Sequence, residues 1–334
     1  MSQQSAPLTA TAHAPLLIMG SPRSGTTFLG QMVNRFLDIH ICRDNGTMLR
    51  FHRNLSHYAP LHEEANLRRL IQHLYADHYF DERVRRRGMA LSEAELLARV
   101  EPRTYGGLIS AVFSATALGH GKNNWGYKRA GFARVTGHQI DDLFPGARFV
   151  HCIRDARDVV LSMRTSTDLL LERSWHFGAV DWVSHLTTGR ALGRQLGADR
   201  YMEVRYEQFM AEPVKVLTDI VAFTGGNATD ERLARMREEL PKLLKADNTE
   251  KWRRAVPPDA IKTIERVAGQ LLAELGYPVI NPDIVGQPIG VAENVGLHAD
   301  RISSNLFRTQ LRAMARYRLE VVKSHLRARF GPKP

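Results

Sequence analysis

The fold is decided by the stretch Leu16-Leu17-Ile18-Met19-Gly20-Ser21-Pro22-Arg23-Ser24-Gly25-Thr26-Thr27-Phe28-Leu29. Its apolar start predicts a short buried strand, and the turn that follows is rich in Gly, Ser and Pro. Apolar residues then recur at helical spacing as far as Leu37, which predicts a helix. A strand, a tight loop and a helix together cradle phosphate, because the first backbone N–H groups of the helix lack intrahelical partners and carry partial positive charge.

The glycines of this loop have the spacing of a P-loop, G-x-x-x-x-G-K-[ST], but Thr26 stands where that motif has its lysine. A nucleoside triphosphatase uses that lysine on the β- and γ-phosphates and a hydroxyl group on Mg²⁺. This loop offers Arg23 and the hydroxyl groups of Ser24, Thr26 and Thr27 instead. One planar cation with several hydroxyl donors suits an anion held without a metal. We therefore predict an anion-binding loop rather than a plain Gly/Ser turn.

The composition is that of a basic soluble protein. The 334 residues suffice for one large α/β domain, or for one domain and an extension. The formal net charge of +11 favours a negatively charged partner, such as a polyanionic cofactor, an acidic membrane surface or nucleic acid. The two cysteines, Cys42 and Cys152, make no disulfide framework and favour a reducing compartment, so we expect the cytoplasm.

Strands and helices are predicted to alternate along the chain. Strands are expected within 38–46, at 125–128, at 147–153 and at 201–206. Helices are expected across 47–100 and at 105–118. A further helix is expected to end at Leu143, and two more are expected to begin near Val159 and at Pro213. This alternation predicts an α/β fold with a central parallel sheet and right-handed crossovers.

The C-terminal part differs from the rest of the chain. Residues 281–297 are rich in Gly, Pro and Val and are predicted to be irregular, whereas 301–330 have the pattern of a strongly basic amphipathic helix. We therefore divide the chain into a flexible lead, 1–14, an α/β domain, 15–280, and an extension, 281–334. The basic helix packs on the core, forms a homodimer contact or touches an anionic membrane; all three hypotheses stay open.

A second predicted turn between a strand and a helix repeats the chemistry of the first. It reads Arg154-Asp155-Ala156-Arg157-Asp158-Val159-Val160-Leu161-Ser162. A guanidinium group at the carboxyl end of a strand reaches the crevice in which parallel sheets bind ligands. We therefore predict that Arg154 and Ser162 bind a second phosphate. For Arg157 and Asp158 we favour a structural salt-bridge cluster near the helix start.

Taken together, the two turns resemble those of sulfotransferases that use 3′-phosphoadenosine 5′-phosphosulfate (PAPS), especially the branch with tyrosylprotein sulfotransferases and bacterial relatives. The likeness runs in order from about residue 15 to residue 280. Residues 22–27 resemble the family's loop for the 5′-phosphosulfate, and residues 144–162 resemble its segment for the 3′-phosphate. The resemblance implies a P-loop NTPase-like sulfotransferase architecture, here with a basic C-terminal helical extension.

The resemblance also implies a set of site residues. Lys128 matches a lysine that helps to stabilise the transition state, together with Arg23, and Asp44 stands roughly where the family has its catalytic glutamate. His52, His57 and His120 are the other candidates for the base. The residues implied to bind the nucleotide are Arg23, Ser24, Gly25, Thr26, Thr27, Arg154, Ser162, Tyr206, Thr249, Lys251 and Trp252.

The predicted function is a sulfotransferase. It moves the sulfuryl group of PAPS to a hydroxyl or amine of an acceptor, such as a glycan, a lipid or a small metabolite, and leaves adenosine 3′,5′-bisphosphate (PAP). The transfer is expected to be in line, and positioning and electrostatics dominate such chemistry. The sequence has no HExxH or CxxC motif and its histidines are scattered, so we predict that no metal is needed.

Two alternatives stay open. One is a P-loop kinase or NTPase, against which the missing lysine counts. The other is a basic protein that binds nucleic acid or a membrane surface. The sequence shows no basic motif interleaved with aromatic residues, so we expect no nucleic-acid partner.

Overall fold

The computed structural model describes residues 14–42, 46–129, 143–144, 146–166, 174–244 and 246–305. Five strands form one parallel sheet in the order β2-β3-β1-β4-β5. They are β1 (Leu16–Gly20), β2 (Ile39–Cys42), β3 (Asn124–Lys128), β4 (Arg148–Ile153) and β5 (Tyr201–Arg205). The predicted central parallel sheet is therefore confirmed.

Helices connect and flank these strands. Before β3 lie α1 (Thr26–Phe36), α2 (Thr47–His52), α3 (Glu64–Tyr75), α4 (His78–Arg83), α5 (Glu93–Arg99) and α6 (Tyr105–Gly119), with 3-10 turns at Leu55–His57 and Arg85–Arg87. After β4 lie α7 (Ala156–Arg164), α8 (Trp175–Leu196), α9 (Tyr206–Ala211), α10 (Pro213–Phe223), α11 (Asp230–Leu243), α12 (Trp252–Ala255), α13 (Pro258–Glu274) and α14 (Val291–Asn305), with 3-10 turns at Ala246–Asn248 and Pro282–Ile284.

The sheet is buried on both faces. Alternate side chains of β1 point to opposite faces, so Leu17 and Met19 join one apolar cluster with α3, α5 and α6. Leu16 and Ile18 join another with α1, α10 and α11. This two-sided burial explains why β1 is a continuous apolar run and not an alternating one.

Strand β1 lies in the middle of the sheet and fixes where the predicted site residues meet. It pairs with β3, placing Ile18 opposite Lys128, and with β4, placing Gly20 opposite Cys152. All three strands run in the same direction. The loop after β1, the end of β3 and the turn after β4 therefore lie at one edge of the sheet.

Two element boundaries differ from the sequence predictions. Helix α7 begins at Ala156 rather than near Val159, because the Asp155 side chain accepts a hydrogen bond from the Arg157 N–H at 2.8 Å and caps the helix earlier. Helix α14 begins at Val291, so the expectation of irregular chain over 281–297 is wrong for its last part.

Other expectations fall partly or wholly outside the described residues. They are the lead up to residue 13, the greater part of the helix expected to end at Leu143, and the basic helix beyond residue 305. In the ranges given above, none of the helices is both long enough and apolar enough to cross a membrane.

Candidate active site

The loop after β1 opens directly onto the amino end of α1. Gly25 precedes the helix with φ +96° and has no side chain that could cap it. The first amide to find an intrahelical acceptor is that of Leu29, which donates to the Gly25 carbonyl at 2.9 Å. The amides before Leu29 thus point out of the helix end, where the helix dipole adds positive charge. This end of α1 suits an anion.

Ser24 and Cys152 hold the loop in shape. The Ser24 hydroxyl donates to the Ser21 carbonyl at 2.6 Å, and the Cys152 thiol donates to the Ser24 carbonyl at 2.9 Å. Burial raises the pKa of Cys152 to about 12, so the thiol keeps its proton and its role as a donor. The predicted contact of Ser24 with the nucleotide is not supported by the position of its hydroxyl, which is buried and used within the loop.

Thr26 and Thr27 begin α1 on different sides. Thr26 is buried, whereas Thr27 is exposed beside the helix end. Gly25, just before them, faces the ring of Tyr206, and a Cβ atom added there would lie 2.3 Å from that ring. The loop and Tyr206 are therefore in close contact, which brings another of the predicted nucleotide residues to the first turn.

Arg154, directly after β4, is a buried charged residue of the site. Its guanidinium lies 4.5 Å above the Tyr206 ring, and Nη1 donates to the Arg23 carbonyl at 3.4 Å. Nη2 donates to Asp158 at 3.4 Å and to the Asn248 carbonyl at 2.5 Å. Arg154 is 6% exposed, and among the described residues its Nε has no hydrogen-bond partner. A buried cation with an unused donor is the expected partner for an anion.

Arg23 and Ser162 meet across the crevice. The Nε of Arg23 donates to the Ser162 hydroxyl at 3.0 Å, although the two were predicted to bind different phosphates. Arg23 is exposed and adopts φ +72°, a left-handed conformation that costs free energy in a non-glycine residue and is often found at functional sites. The hydrogen bond joins the loop after β1 to α7.

Arg157 and Asp158 are structural, as the sequence analysis favours. Arg157 is completely buried, binds Asp155 at 2.6 Å and Glu265 at 2.7 Å, and stacks on the Trp252 ring at 3.6 Å. Asp158 accepts from the Trp252 amide at 2.9 Å. Burial raises the pKa of Asp158, although Arg154 lowers it.

The segment after α11 contacts the turn after β4. The position of Trp252 on this segment differs from the one that its predicted contact with the nucleotide needs. Trp252 is 1% exposed, and its ring lies between Arg157 and Arg253, so its ring serves the core instead of lining an open cleft. Thr249 and Lys251 are half-buried on the same segment. Asn248, which the sequence analysis does not select, makes the direct contacts to Arg154 and Tyr206.

Glu207 is another residue that sequence reasoning misses. It accepts hydrogen bonds from the Asp155 amide at 3.0 Å and from the Tyr277 hydroxyl at 2.7 Å. Burial raises the pKa of Glu207. Through its hydrogen bond with the Asp155 amide, the Glu207 carboxyl group stabilises the turn that carries Arg154.

Lys128 ends β3 on the other side of β1 from Arg154. The register places it opposite Ile18, and the next residue, Arg129, donates from its amide to the Ile18 carbonyl at 3.0 Å. Lys128 therefore lies at the same sheet edge as the loop after β1, as a residue acting on the transferred group needs to be.

The structure describes three of the four candidates for the catalytic base, namely His52, His57 and His120. Asp44 lies outside the described residues. His52 belongs to α2, with its ring 5.6 Å from that of Tyr105, and His57 lies in an exposed 3-10 turn. His120 is a wrong candidate, because it precedes β3 and stacks on His40 at 3.9 Å, at the opposite edge of the sheet.

No group of three or more His, Cys, Asp or Glu residues that could hold a metal ion occurs within the described ranges. The expectation that no metal is needed stays a prediction. The positive groups that the site does offer are Arg23, Arg154, Lys128 and the amides at the start of α1.

A parallel sheet with an arginine-bearing turn after each of two adjacent strands is the arrangement of a P-loop-like fold. The chain belongs to the sulfotransferase family, whose profile matches residues 15–230. Protein-tyrosine sulfotransferase of Drosophila melanogaster is 26% identical over 176 residues, and protein-tyrosine sulfotransferase 1 of Danio rerio is 23% identical over 313 residues. The matched parts cover 46% and 85% of this chain. They span 34% of the Drosophila protein and 78% of the Danio protein.

This chain is similar in fold to a solved structure. The sulfotransferase domain from the curacin biosynthetic pathway superposes with a TM-score of 0.50 at 16% identity, over 80% of this chain and 98% of that domain. The predicted sulfotransferase architecture is confirmed.

Proposed function

We propose that this protein transfers the sulfuryl group of PAPS to a hydroxyl or amine of an acceptor. The observation that carries the proposal is the pairing of β1 with β4, which puts two anion-binding turns side by side and lets Arg23 reach Ser162 at 3.0 Å. PAPS carries phosphate groups at both its 5′ and its 3′ position. A site with two neighbouring anion-binding turns suits such a nucleotide better than a nucleoside triphosphate, and family membership supports the same choice.

The two turns divide the nucleotide between them. The amides of Gly25, Thr26 and Thr27 and the side chain of Arg23 would hold the 5′-phosphosulfate. Arg154, with its unused Nε, and Ser162 would hold the 3′-phosphate, since charge-assisted hydrogen bonds from a guanidinium to phosphate are strong and specific. Tyr206, Thr249 and Lys251 complete the nucleotide site, and Trp252 anchors the segment of Thr249 and Lys251 from the core.

The transfer breaks the S–O bond to the phosphate of PAPS and forms an S–O or S–N bond to the acceptor. Negative charge develops on the phosphate that leaves, and Lys128, Arg23 and the amides of the loop would take it up. The acceptor gives its proton to a base, for which Asp44 remains the first candidate. Because these cations and dipoles supply the electrostatic stabilisation, we propose that no metal is required.

Calorimetric titration tests this function. We expect the purified protein to bind PAP without metal and to bind ADP with Mg²⁺ much more weakly. Preference for ADP with Mg²⁺ would instead support the kinase alternative. Turnover is then measured as radiolabelled sulfate moved from PAPS to candidate acceptors in the glycan, lipid and small-metabolite classes.

We also propose that the C-terminal part touches an anionic membrane surface. A cytoplasmic protein would then bind that membrane peripherally. Helix α14 is held on the body by His298, whose ring lies 4.9 Å from that of Phe177. Its Val291, Val295 and Ile302 are nonetheless 86%, 66% and 58% exposed, at spacings that put them on one helix face. The chain beyond it, residues 306–334, carries eight of the 46 Lys and Arg residues and one of the 35 acidic residues. Exposed apolar groups next to excess positive charge favour an anionic lipid surface.

Vesicle sedimentation tests the membrane contact. We expect binding to vesicles that contain phosphatidylserine, little binding to pure phosphatidylcholine, and weaker binding for the triple variant Val291→Ser, Val295→Ser, Ile302→Ser. Leu118→Ser, which alters an exposed apolar residue of α6, is the matched control. Unchanged sedimentation of the triple variant would contradict the proposal, and a change in its oligomeric state would point to a homodimer contact.

A further inference from the structure

Asn248 connects two residues of the nucleotide site. Its side-chain amide donates to the Tyr206 hydroxyl at 2.5 Å, and its backbone carbonyl accepts from Nη2 of Arg154 at 2.5 Å. Tyr206 and Arg154 are themselves stacked, with the guanidinium carbon 4.5 Å from the ring centre. One residue thus holds both members of a stacked pair, and their relative position depends on it.

The other contacts of Arg154 are weaker restraints. Those to Asp158 and to the Arg23 carbonyl are both 3.4 Å long, near the limit for a hydrogen bond. The contact to Asn248 is therefore the strongest hydrogen bond that orients the guanidinium. It engages Nη2 and leaves Nε, which has no partner among the described residues, as a donor for an anion.

The segment that carries Asn248 is fixed on its other side. Asn248 closes the 3-10 turn Ala246–Asn248, and four residues later the Trp252 amide donates to Asp158 at 2.9 Å. Trp252 is itself buried under Arg157. The backbone near Asn248 is thus tied to the core, whereas the side-chain amide is the part that reaches Tyr206.

We propose that Asn248 is a positioning residue for the donor nucleotide: it holds Tyr206 against Arg154 so that Arg154 is already oriented when a 3′-phosphate arrives. The inference rests on the proposed function. Pre-orientation lowers the cost of ordering side chains on binding, so its loss weakens nucleotide affinity. It should not alter the transfer step, because Asn248 acts through Tyr206 and Arg154.

The test replaces each end of the hydrogen bond in turn. For Asn248→Ala we expect the KM for PAPS and the Kd for PAP to rise about ten-fold, the size of one lost hydrogen bond, with kcat unchanged. Tyr206→Phe removes the same hydrogen bond from its other end and should give a similar rise. The double variant should be no weaker than either single variant, since both remove one interaction. Asn66→Ala is the matched control, because that amide donates to the Pro60 carbonyl in the helical region before β3.

The possible outcomes distinguish a failure of the positioning role of Asn248 from a failure of the proposed function. Additive losses, an unchanged KM, or tighter binding by Asn248→Ala would overturn the positioning role while leaving the proposed function in place. Failure of the wild-type protein to bind PAP would overturn both. Thermal unfolding shows whether each variant folds. If Asn248→Ala does not fold, Tyr206→Phe still tests the role of the hydrogen bond.

Discussion

The Nε of Arg23 donates to the Ser162 hydroxyl at 3.0 Å, although the two residues are 139 positions apart in the chain. This hydrogen bond crosses from the loop after β1 to the second turn of α7. The loop after β1 and the turn after β4 therefore line one crevice. A ligand with two phosphate positions would replace this contact with its own oxygens, which both side chains can still reach.

The first prediction concerns the 3′-phosphate. Arg154→Ala should weaken PAP binding about 100-fold, because a hydrogen bond to a charged group contributes up to about 3 kcal/mol. Ser162→Ala should weaken it about ten-fold, since it removes a neutral donor. Calorimetry measures both. Arg68→Ala, which alters an exposed arginine paired with Glu64, serves as the control and should bind normally.

The second prediction separates binding from turnover at Lys128. Lys128→Ala should lower kcat about 100-fold to 1,000-fold while the Kd for PAP stays nearly constant, because the lysine would act on charge that develops during transfer. Lys122→Ala is a matched control. That lysine donates to the Leu37 carbonyl at 2.7 Å, before the start of β3 and so at the opposite edge of the sheet. Weaker PAP binding with unchanged kcat would give Lys128 a binding role instead.

The third prediction concerns the pH dependence of stability. His151 is buried, and its Nδ1 lies 2.6 Å from the Tyr201 hydroxyl, which donates to Glu203. Burial lowers the pKa of His151 from 6.5 to about 4. The unfolded chain therefore binds a proton between these pH values that the folded protein does not. The stability that this difference contributes is complete above pH 6.5, declines as the pH falls, and is lost once the pH has passed through 4.

The part of the stability that depends on the protonation of His151 is about 3 kcal/mol. Chemical unfolding measured from pH 7 to pH 4 should show a smaller loss of stability for His151→Gln than for the wild-type protein. Gln has no proton to gain, so it removes this part of the pH dependence. Parallel curves for the two proteins would show that His151 does not contribute it.

The fourth prediction concerns the buried Arg157. Glu265→Gln removes a buried carboxylate 2.7 Å from that guanidinium and should lower the free energy of unfolding by about 3–5 kcal/mol. The exposed pair of Glu238 and Lys242 offers a comparison, and Glu238→Gln should leave stability unchanged. Denaturant titration distinguishes the two. A mild effect at Glu265 would mean that Asp155 alone balances Arg157.

The sequence predicts the fold well where local patterns dominate. The apolar run from Leu16 to Met19 and that within β4 favour buried strands, since each is short and bounded by a turn. The capping box at Ser92 and Glu95 starts α5 within the stretch 47–100, where helices are expected. The meeting of the two predicted anion-binding turns follows from these strands, because a parallel sheet gathers its carboxyl ends at one edge.

The parts that could not be predicted depend on contacts between distant segments. Asn248 acquires its role from Arg154, 94 positions away, and Glu207 acquires its role from the Asp155 amide, 52 positions away. The resemblance implies that Trp252 binds the nucleotide, yet its ring is buried against Arg157. No local pattern encodes such partners, since each side chain would be equally plausible on a surface loop.

The pairing of β1 with β4 has a thermodynamic consequence. Because the two turns come from strands far apart in the chain, an unfolded chain has no site, and any ligand that bridges them shifts the folding equilibrium toward the native state. A ligand at 100 times its Kd would add about 2.7 kcal/mol of stability. A rise in melting temperature therefore reports ligand binding, and protein saturated with PAP can be screened for the acceptor that raises the melting temperature further.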